Sequence, residues 1–187
     1  MNECPSKMSS SWPPTVVTKA TTASNVGDYP ITVSLGTNPN YTVTPTDATL
    51  TVTKATPTVS VSDYTGVYDA SSHTASVTIT GVGGVTLASK SLAGTDVLES
   101  GTVSASTSDP NYVATSGTAT LSITPATAKV VYTGYAGGTY DGLPHTRTVT
   151  VTGVGSDGTI FTDSKSGTSA GSYSKGWSFG DGNYNTV

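Results

Sequence analysis

Apolar and polar residues alternate with a period of two along several short stretches of the chain. One stretch places Ala75, Val77 and Ile79 on one side, with serine and threonine between them, and Val149 and Val151 repeat the pattern. Other such stretches are Ile31, Val33 and Leu35; Ala48, Leu50 and Val52; and Ala119, Leu121 and Ile123. A period of two is typical of β-strands with one buried face. The pattern therefore predicts an all-β chain.

Glycine-rich turns separate these stretches. They include residues 81–84, Gly137-Gly138, Asp157-Gly158 and Asp181-Gly182. Glycine and aspartate supply the backbone conformations that tight hairpins need. Short strands joined by such turns predict two-sheet β-sandwiches.

A set of motifs recurs at intervals of 71 or 72 positions. Tyr68-Asp69-Ala70-Ser71-Ser72-His73 matches Tyr140-Asp141-Gly142-Leu143-Pro144-His145, and Asn38-Pro39-Asn40-Tyr41 is followed by Asp109-Pro110-Asn111-Tyr112 and Asp181-Gly182-Asn183-Tyr184. We therefore predict three tandem modules. Residues 1–55 form a partial module with an N-terminal extension, residues 56–126 a complete one, and residues 127–187 one that lacks its last strand. Trp177 and Phe179, which replace the apolar residues of an earlier strand, are predicted to lie in the core of the third module.

Composition and charge narrow the function classes. Threonine, serine and glycine make up nearly half of the chain, 11% of residues are charged, and the net charge is −4. This composition disfavours a coiled coil, and the charge gives no basic footprint for nucleic acid. No apolar run is long enough to span a membrane. The lone cysteine, Cys4, cannot form an internal disulfide. Low charge and many small polar residues fit exported bacterial surface proteins.

The recurring Tyr-Asp-x-x-x-His motif allows two interpretations. Aspartate, tyrosine and histidine are side chains that relay protons or bind metals. The second and third modules, however, have one histidine each, with no second histidine or cysteine beside it. We therefore predict a structural turn in which the aspartate accepts backbone N–H groups and the histidine closes the loop. The residues concerned are Tyr68, Asp69, His73, Tyr140, Asp141 and His145.

No constellation predicts catalysis. Asp96 and Glu99 are the only acids that lie close together in sequence, and no Gly-x-Ser-x-Gly motif occurs. Calcium stays an open alternative, because aspartates in glycine- and asparagine-containing loops offer oxygen ligands. These are Asp109, Asp157, Asp163 and Asp181. The expectation is therefore a non-enzymatic protein with no cofactor, with calcium as the alternative.

The incomplete modules suggest an assembly mechanism. Near the N-terminus, Thr15, Val16, Val17 and Thr18 resemble the end of a module's final strand. This segment of one subunit is predicted to fill the open third module of the next by β-strand addition, which builds a head-to-tail filament. The alternative is that the chain is a fragment of a longer repeat protein.

A family resemblance covers nearly the whole chain. The order Tyr140-Asp141-Gly142-Leu143-Pro144-His145, Val149-Thr150-Val151-Thr152-Gly153-Val154-Gly155, Ala170-Gly171-Ser172-Tyr173 and Asp181-Gly182-Asn183-Tyr184 resembles the mostly bacterial immunoglobulin-like repeats of surface proteins, known as MBG or YDG-type domains. The middle repeat departs from the pattern, because it has no tyrosine where Tyr29 and Tyr173 stand. The resemblance implies an extracellular, non-catalytic module of an adhesin or filament on the bacterial cell surface.

A second function class is a binding module for a host or surface glycan, or for another receptor. Such a module needs exposed aromatic side chains. The candidates are Tyr64, Tyr68, Tyr135 and Tyr140, which we expect to serve mainly in packing at the rims and between modules.

Overall fold

The computed structural model describes residues 14–36, 42 and 44–187, so Cys4 and the motif at residues 38–41 lie outside the described residues. The described chain forms twelve strands and two short 3-10 turns, Val82–Gly84 and Val97–Glu99. The predicted all-β fold is confirmed. Within the same residues, no helix is long and apolar enough to cross a membrane. The strands are β1 (Thr15–Thr18), β2 (Gly27–Ser34), β3 (Ala48–Val52), β4 (Thr58–Ser62), β5 (Tyr64–Val67), β6 (His73–Thr80), β7 (Thr86–Gly94), β8 (Gly101–Thr107), β9 (Thr115–Thr124), β10 (Lys129–Gly134), β11 (His145–Thr152) and β12 (Thr159–Gly167).

The chain divides into two compact units. The first contains Met1–Pro57 and Ser108–Ala114, and the second contains Thr58–Thr107 and Thr115–Val187. The second unit therefore holds most of the second predicted module and all of the third. A short loop of the second module, residues 108–114, groups with the first unit instead, because it hydrogen-bonds there.

The described part of the first unit contains one antiparallel sheet with β2 at its centre, flanked by β1 and β3. Tyr29 of β2 pairs with Leu50 of β3. Alternate residues of β2 are half-buried, as the period of two predicts. Leu50 and Val16, however, are 41% and 67% exposed, so much of the apolar surface of this sheet is accessible.

The second module is a sandwich of two three-stranded sheets, β4-β6-β7 and β5-β9-β8. Ala75, Val77 and Ile79 of β6 are fully buried, and they belong to one core with Leu121 and Ile123 of β9. Fully burying such an aliphatic side chain stabilises a fold by about 1.5–3 kcal/mol. Most strand pairs are antiparallel, but β5 runs parallel to β9. The alternation read from the sequence therefore places the core correctly.

The third module has one sheet, β10-β11-β12, in the described structure. It repeats the sheet β4-β6-β7, and Val149 and Val151 are again buried. Trp177 and Phe179 pack against the core but are only partly buried, and their segment is not a strand. Their rings lie 6.0 and 6.2 Å from that of Phe161. Aromatic packing thus contributes to the core of the third module.

Candidate functional site

The Asp-x-Asn-Tyr motif folds into the same tight turn in both of its described copies. The backbone N–H of Asn183 donates to Oδ1 of Asp181 at 2.8 Å, and the N–H of Tyr184 donates to the Asp181 carbonyl at 3.1 Å. Asn111 and Asp109 form the corresponding side-chain bond, also 2.8 Å. Aspartate favours such turns because its side chain accepts a backbone N–H two residues ahead. The turn fixes the direction of the asparagine side chain.

Asn183 then connects the third module to the second. Its Oδ1 accepts the N–H of Val97 at 2.9 Å, and its Nδ2 donates to Oδ1 of Asp96 at 2.8 Å. Its carbonyl oxygen accepts the N–H of Ala126 at 2.9 Å, and the N–H of Asn185 donates to the Ala126 carbonyl at 2.8 Å. We call this set of four bonds the asparagine clamp. It holds both polar backbone groups of Ala126, which lies in the linker between the modules.

The first unit contains a second asparagine clamp. Oδ1 of Asn111 accepts the N–H of Val26 at 2.8 Å, and Nδ2 of Asn111 donates to Oδ1 of Asn25 at 3.1 Å. The carbonyl of Asn111 accepts the N–H of Ala55 at 3.0 Å, and the N–H of Val113 donates to the Ala55 carbonyl at 2.9 Å. Each bond has its counterpart in the clamp of Asn183. The same device is therefore built twice from residues 71 or 72 positions apart.

Two buried tyrosines share one carboxylate beside the clamp of Asn183. Tyr68, from the second module, donates its hydroxyl to Oδ2 of Asp157 at 3.0 Å, and Tyr184 donates to the same oxygen. The Tyr184 hydroxyl also accepts the N–H of Val154 at 2.8 Å. The two rings meet edge to face, with centroids 5.4 Å apart. Burial, reinforced by the carboxylate, raises the pKa of Tyr68 to about 12, so its hydroxyl stays protonated and donates.

Close backbone packing accompanies this contact. Gly155 has a φ of +55°, and a β-carbon added to it would collide with the carbonyl oxygen of Asp69. Only glycine combines this conformation with this approach. Tyr68 is 6% exposed where the third module packs on it, whereas its counterpart Tyr140 is 66% exposed. The burial of the motif tyrosine therefore depends on a neighbouring module.

The first Tyr-Asp-x-x-x-His motif closes the turn between β5 and β6. Oδ1 of Asp69 accepts the N–H of Ser71 at 2.9 Å and lies 3.0 Å from Nε2 of His73. The hydrogen bond to His73 is the main reason why the pKa of Asp69 is lowered. The ring of Tyr64 stacks on that of His73, with centroids 3.9 Å apart. The carboxylate and the histidine are thus engaged within the turn.

The second copy of the motif has the same geometry before β11. Oδ1 of Asp141 accepts the N–H of Leu143 and lies within hydrogen-bond distance of Nε2 of His145, both at 2.9 Å. The backbone bond, followed by that to histidine, lowers the pKa of Asp141. Tyr135 stacks on His145 at 3.8 Å. The aspartate and the histidine thus lie in the turn in both copies, whereas the stacked rings are Tyr64 and Tyr135 rather than the motif tyrosines Tyr68 and Tyr140.

The aspartates considered for calcium serve four separate contacts. Asp109 and Asp181 support the two clamp turns, Asp157 accepts two tyrosine hydroxyls, and Asp163 pairs with Lys175 at 2.6 Å. Over residues 14–36, 42 and 44–187, no three His, Cys, Asp or Glu side chains are grouped as a metal site would require.

The predicted donor strand and the candidate glycan-binding tyrosines fall in different places. Strand β1 consists of the predicted donor residues Thr15, Val16, Val17 and Thr18, is exposed, and pairs with β2 of the same chain.

The candidate glycan-binding tyrosines do not make a shared platform. Tyr68 is buried, Tyr64 and Tyr135 stack on histidines, and Tyr140 is exposed.

Sequence reasoning found the Asp-x-Asn-Tyr motif but not its role. The recurrence of an asparagine at a fixed place in the repeat was the available signal. Its partners Val97 and Asp96 lie about 87 positions away, and no local pattern connects them. The bond between Tyr68 and Asp157 was missed for the same reason.

Residues 6–51 match the family model of the MBG domain (YGX type). The match confirms the predicted resemblance for this part of the chain, which is consistent with an MBG-type repeat. MBG domains are structural repeats that occur in bacterial surface proteins. Comparisons with curated proteins and with solved structures find no match.

Proposed function

We propose that this chain, whose N-terminal part matches an MBG domain, is a non-enzymatic structural segment of a bacterial surface protein, in which the second and third modules are locked to one another at their linker. The observation that carries the proposal is the asparagine clamp, which is formed with the same bonds at Asn111 and at Asn183. Because the same set of hydrogen bonds recurs at the module spacing, a structural role in the tandem repeat explains it better than a ligand site, which need not recur with each module.

The clamp of Asn183 opposes bending of the linker between the second and third modules. A parallel bridge joins Ala126 to Tyr184, and the asparagine side chain holds Val97 from another direction. Each intramolecular hydrogen bond contributes about 0.5–1.5 kcal/mol net. Together with the buried pair Tyr68 and Tyr184, these bonds make a fixed joint between the two modules.

The finer proposal is an extracellular adhesin stalk or filament subunit that polymerises head to tail by β-strand addition. The family supports placement at the bacterial surface. The exposed strand β1, which pairs with one neighbour, supports the role of donor strand. Receptor or glycan recognition is the competing proposal, and the lack of a shared tyrosine platform among Tyr64, Tyr68, Tyr135 and Tyr140 weighs against it.

A distance measurement across the joint tests the proposal. Spin labels at Ser60 of β4 and Thr162 of β12, in a Cys4→Ser background, report on the second and third modules by double electron–electron resonance. We expect one narrow distance distribution that broadens on Asn183→Ala and is unchanged on Asn185→Ala. A broad distribution in the unsubstituted protein would refute a fixed joint. Antibody that reached the chain only after permeabilisation of the source cells would refute the surface location.

A further inference from the structure

Strand β5 of the second module runs parallel to β9, whereas the other strand pairs among the described residues are antiparallel. Tyr64 pairs with Leu121 at one end of this ladder, and Val67 pairs with Thr124 at the other. Parallel pairing is slightly less stable per residue than antiparallel pairing. The parallel orientation does, however, change how the pair responds to tension along the chain.

The chain passes through the second module, with residues on both sides of it. It enters at Thr58, the start of β4, and leaves after Thr124, the end of β9. Strand β4 leads into β5 through Asp63 alone, and a single residue is shorter than the two-residue loops of tight hairpins. The two strands therefore follow one another without a reversal. Tension along the chain pulls β5 from its N-terminal end and β9 from its C-terminal end.

The parallel orientation places these two loaded ends at opposite ends of the ladder, at Tyr64 in β5 and at Thr124 in β9. Tension therefore makes the strands slide along each other and strains all of their hydrogen bonds at once. In an antiparallel pair the loaded ends would face each other, and the bonds would break one after another. Since forced unfolding is governed by the unfolding barrier, bonds that break together give the pair a higher resistance.

Two further hydrogen bonds extend the pair at its C-terminal end. Oγ1 of Thr124 donates to the carbonyl of Gly66 at 3.1 Å, and the N–H of Tyr68 donates to the carbonyl of Thr124 at 2.8 Å. Tyr68 is buried, and its hydroxyl donates to Asp157 of the third module at 3.0 Å. The residue that follows β5 is thus held by both modules, and β5 cannot slide towards its N-terminus without pulling Tyr68 out.

The N-terminal side of the pair is held as well. Oδ1 of Asp63 accepts the N–H of Thr120 in β9 at 2.7 Å. Before this residue, β4 pairs with β6 along the whole of Thr58–Ser62. Tension that detaches β5 from β9 must therefore also break the ladder between β4 and β6.

We infer that the second module is a load-bearing element, in which the parallel pair β5–β9 resists tension transmitted along the chain. The inference deepens the proposed structural role and rests on it for the source of the load, which is a pull on the surface protein that contains this segment. The resistance itself comes from strand pairs within the second module.

Pulling the whole chain from two sets of attachment points tests the inference. In the Cys4→Ser background, Thr58→Cys with Pro125→Cys loads opposite ends of the β5–β9 pair, whereas Val67→Cys with Pro125→Cys loads adjacent ends. All three attachment positions are exposed. DNA handles on the reduced thiols allow optical tweezers to measure the unfolding force at one loading rate. We expect a several-fold higher unfolding force when opposite ends are loaded.

Two substitutions in β9 identify the strand pair that carries the load. Thr124→Val removes the side-chain bond to Gly66 of β5, and the matched control Thr118→Val removes a bond of 2.7 Å to Ser104 of β8. Both threonines are exposed, and each variant loses one side-chain bond, so we expect similar urea midpoints. Thr124→Val should lower the unfolding force with opposite ends loaded, and Thr118→Val should leave it unchanged. Circular dichroism verifies that each variant folds.

Equal unfolding forces in the two pulling geometries, or equal effects of the two substitutions on the force, would overturn the inference. If the forces are equal and the distance across the joint is narrow, load bearing is removed and the structural segment with its fixed joint stays. If the forces differ and the distance is broad, the fixed joint is removed and load bearing by the second module stays.

Discussion

Replacing Asn183 by alanine should weaken the second unit through loss of the clamp's side-chain bonds. The half-buried N–H of Val97 loses its acceptor at 2.9 Å, and the exposed carboxylate of Asp96 loses its donor. The backbone bonds to Ala126 stay in place, since alanine keeps the same main chain. One partly buried bond contributes about 0.5–1.5 kcal/mol net, and the exposed one adds less. We therefore expect a loss of about 1–2 kcal/mol in the free energy of unfolding.

Urea denaturation followed by Trp177 fluorescence measures this loss. Trp177 packs against the third-module core, and a Trp12→Phe background removes the other tryptophan. Small proteins have urea slopes of about 1–3 kcal/mol per molar, so the midpoint should fall by roughly 0.5–1 M.

Asn185→Ala is the matched control for this prediction. Its Nδ2 has two long contacts, 3.5 Å to the Pro125 carbonyl and 3.4 Å to Oγ1 of Thr127, and both are exposed. We expect its stability to change by less than about 0.5 kcal/mol. If Asn183→Ala and Asn185→Ala shift the midpoint equally, the clamp does not stabilise the joint and the reasoning fails.

Two further predictions concern the same joint. Gly155→Ala should destabilise the second unit more than Gly158→Ala in the same urea assay. Both glycines have a positive φ, but only at Gly155 would an added β-carbon collide with the carbonyl of Asp69. Equal losses of unfolding free energy in the two variants would contradict close packing at Gly155. Stability should also fall at high pH, because the pKa of Tyr68 rises from 10.0 to about 12 on folding. The contribution of Tyr68 to the free energy of unfolding is complete below pH 10 and is lost as the pH rises through the folded pKa. When the free energy of unfolding is measured over a pH series, Tyr68→Phe should therefore flatten its alkaline decline, and Tyr140→Phe should leave the decline unchanged. The same slope in both variants would refute the assignment.

Much of the fold follows from local pattern. The alternation around Val77 and Leu121 predicts strands with one buried face, and both residues lie in the core. Trp177 shows the limit of such reasoning, since its segment aligns with a strand and is not one. Strand formation at Trp177 depends on a neighbouring strand, and local sequence propensity does not determine which distant segments pair.

The sequence by itself determined the all-β class, the repeat spacing and the residue types of the turns, because these depend on period, propensity and neighbours within a few positions. Only the tertiary structure decided what Asn183 and Asp157 do. Their partners Val97 and Tyr68 lie 86 and 89 positions away, and their contacts depend on how one module docks on the next. Hydrogen bonding is short-ranged and directional, so a distant pair acquires a role only when packing brings its atoms to about 3 Å.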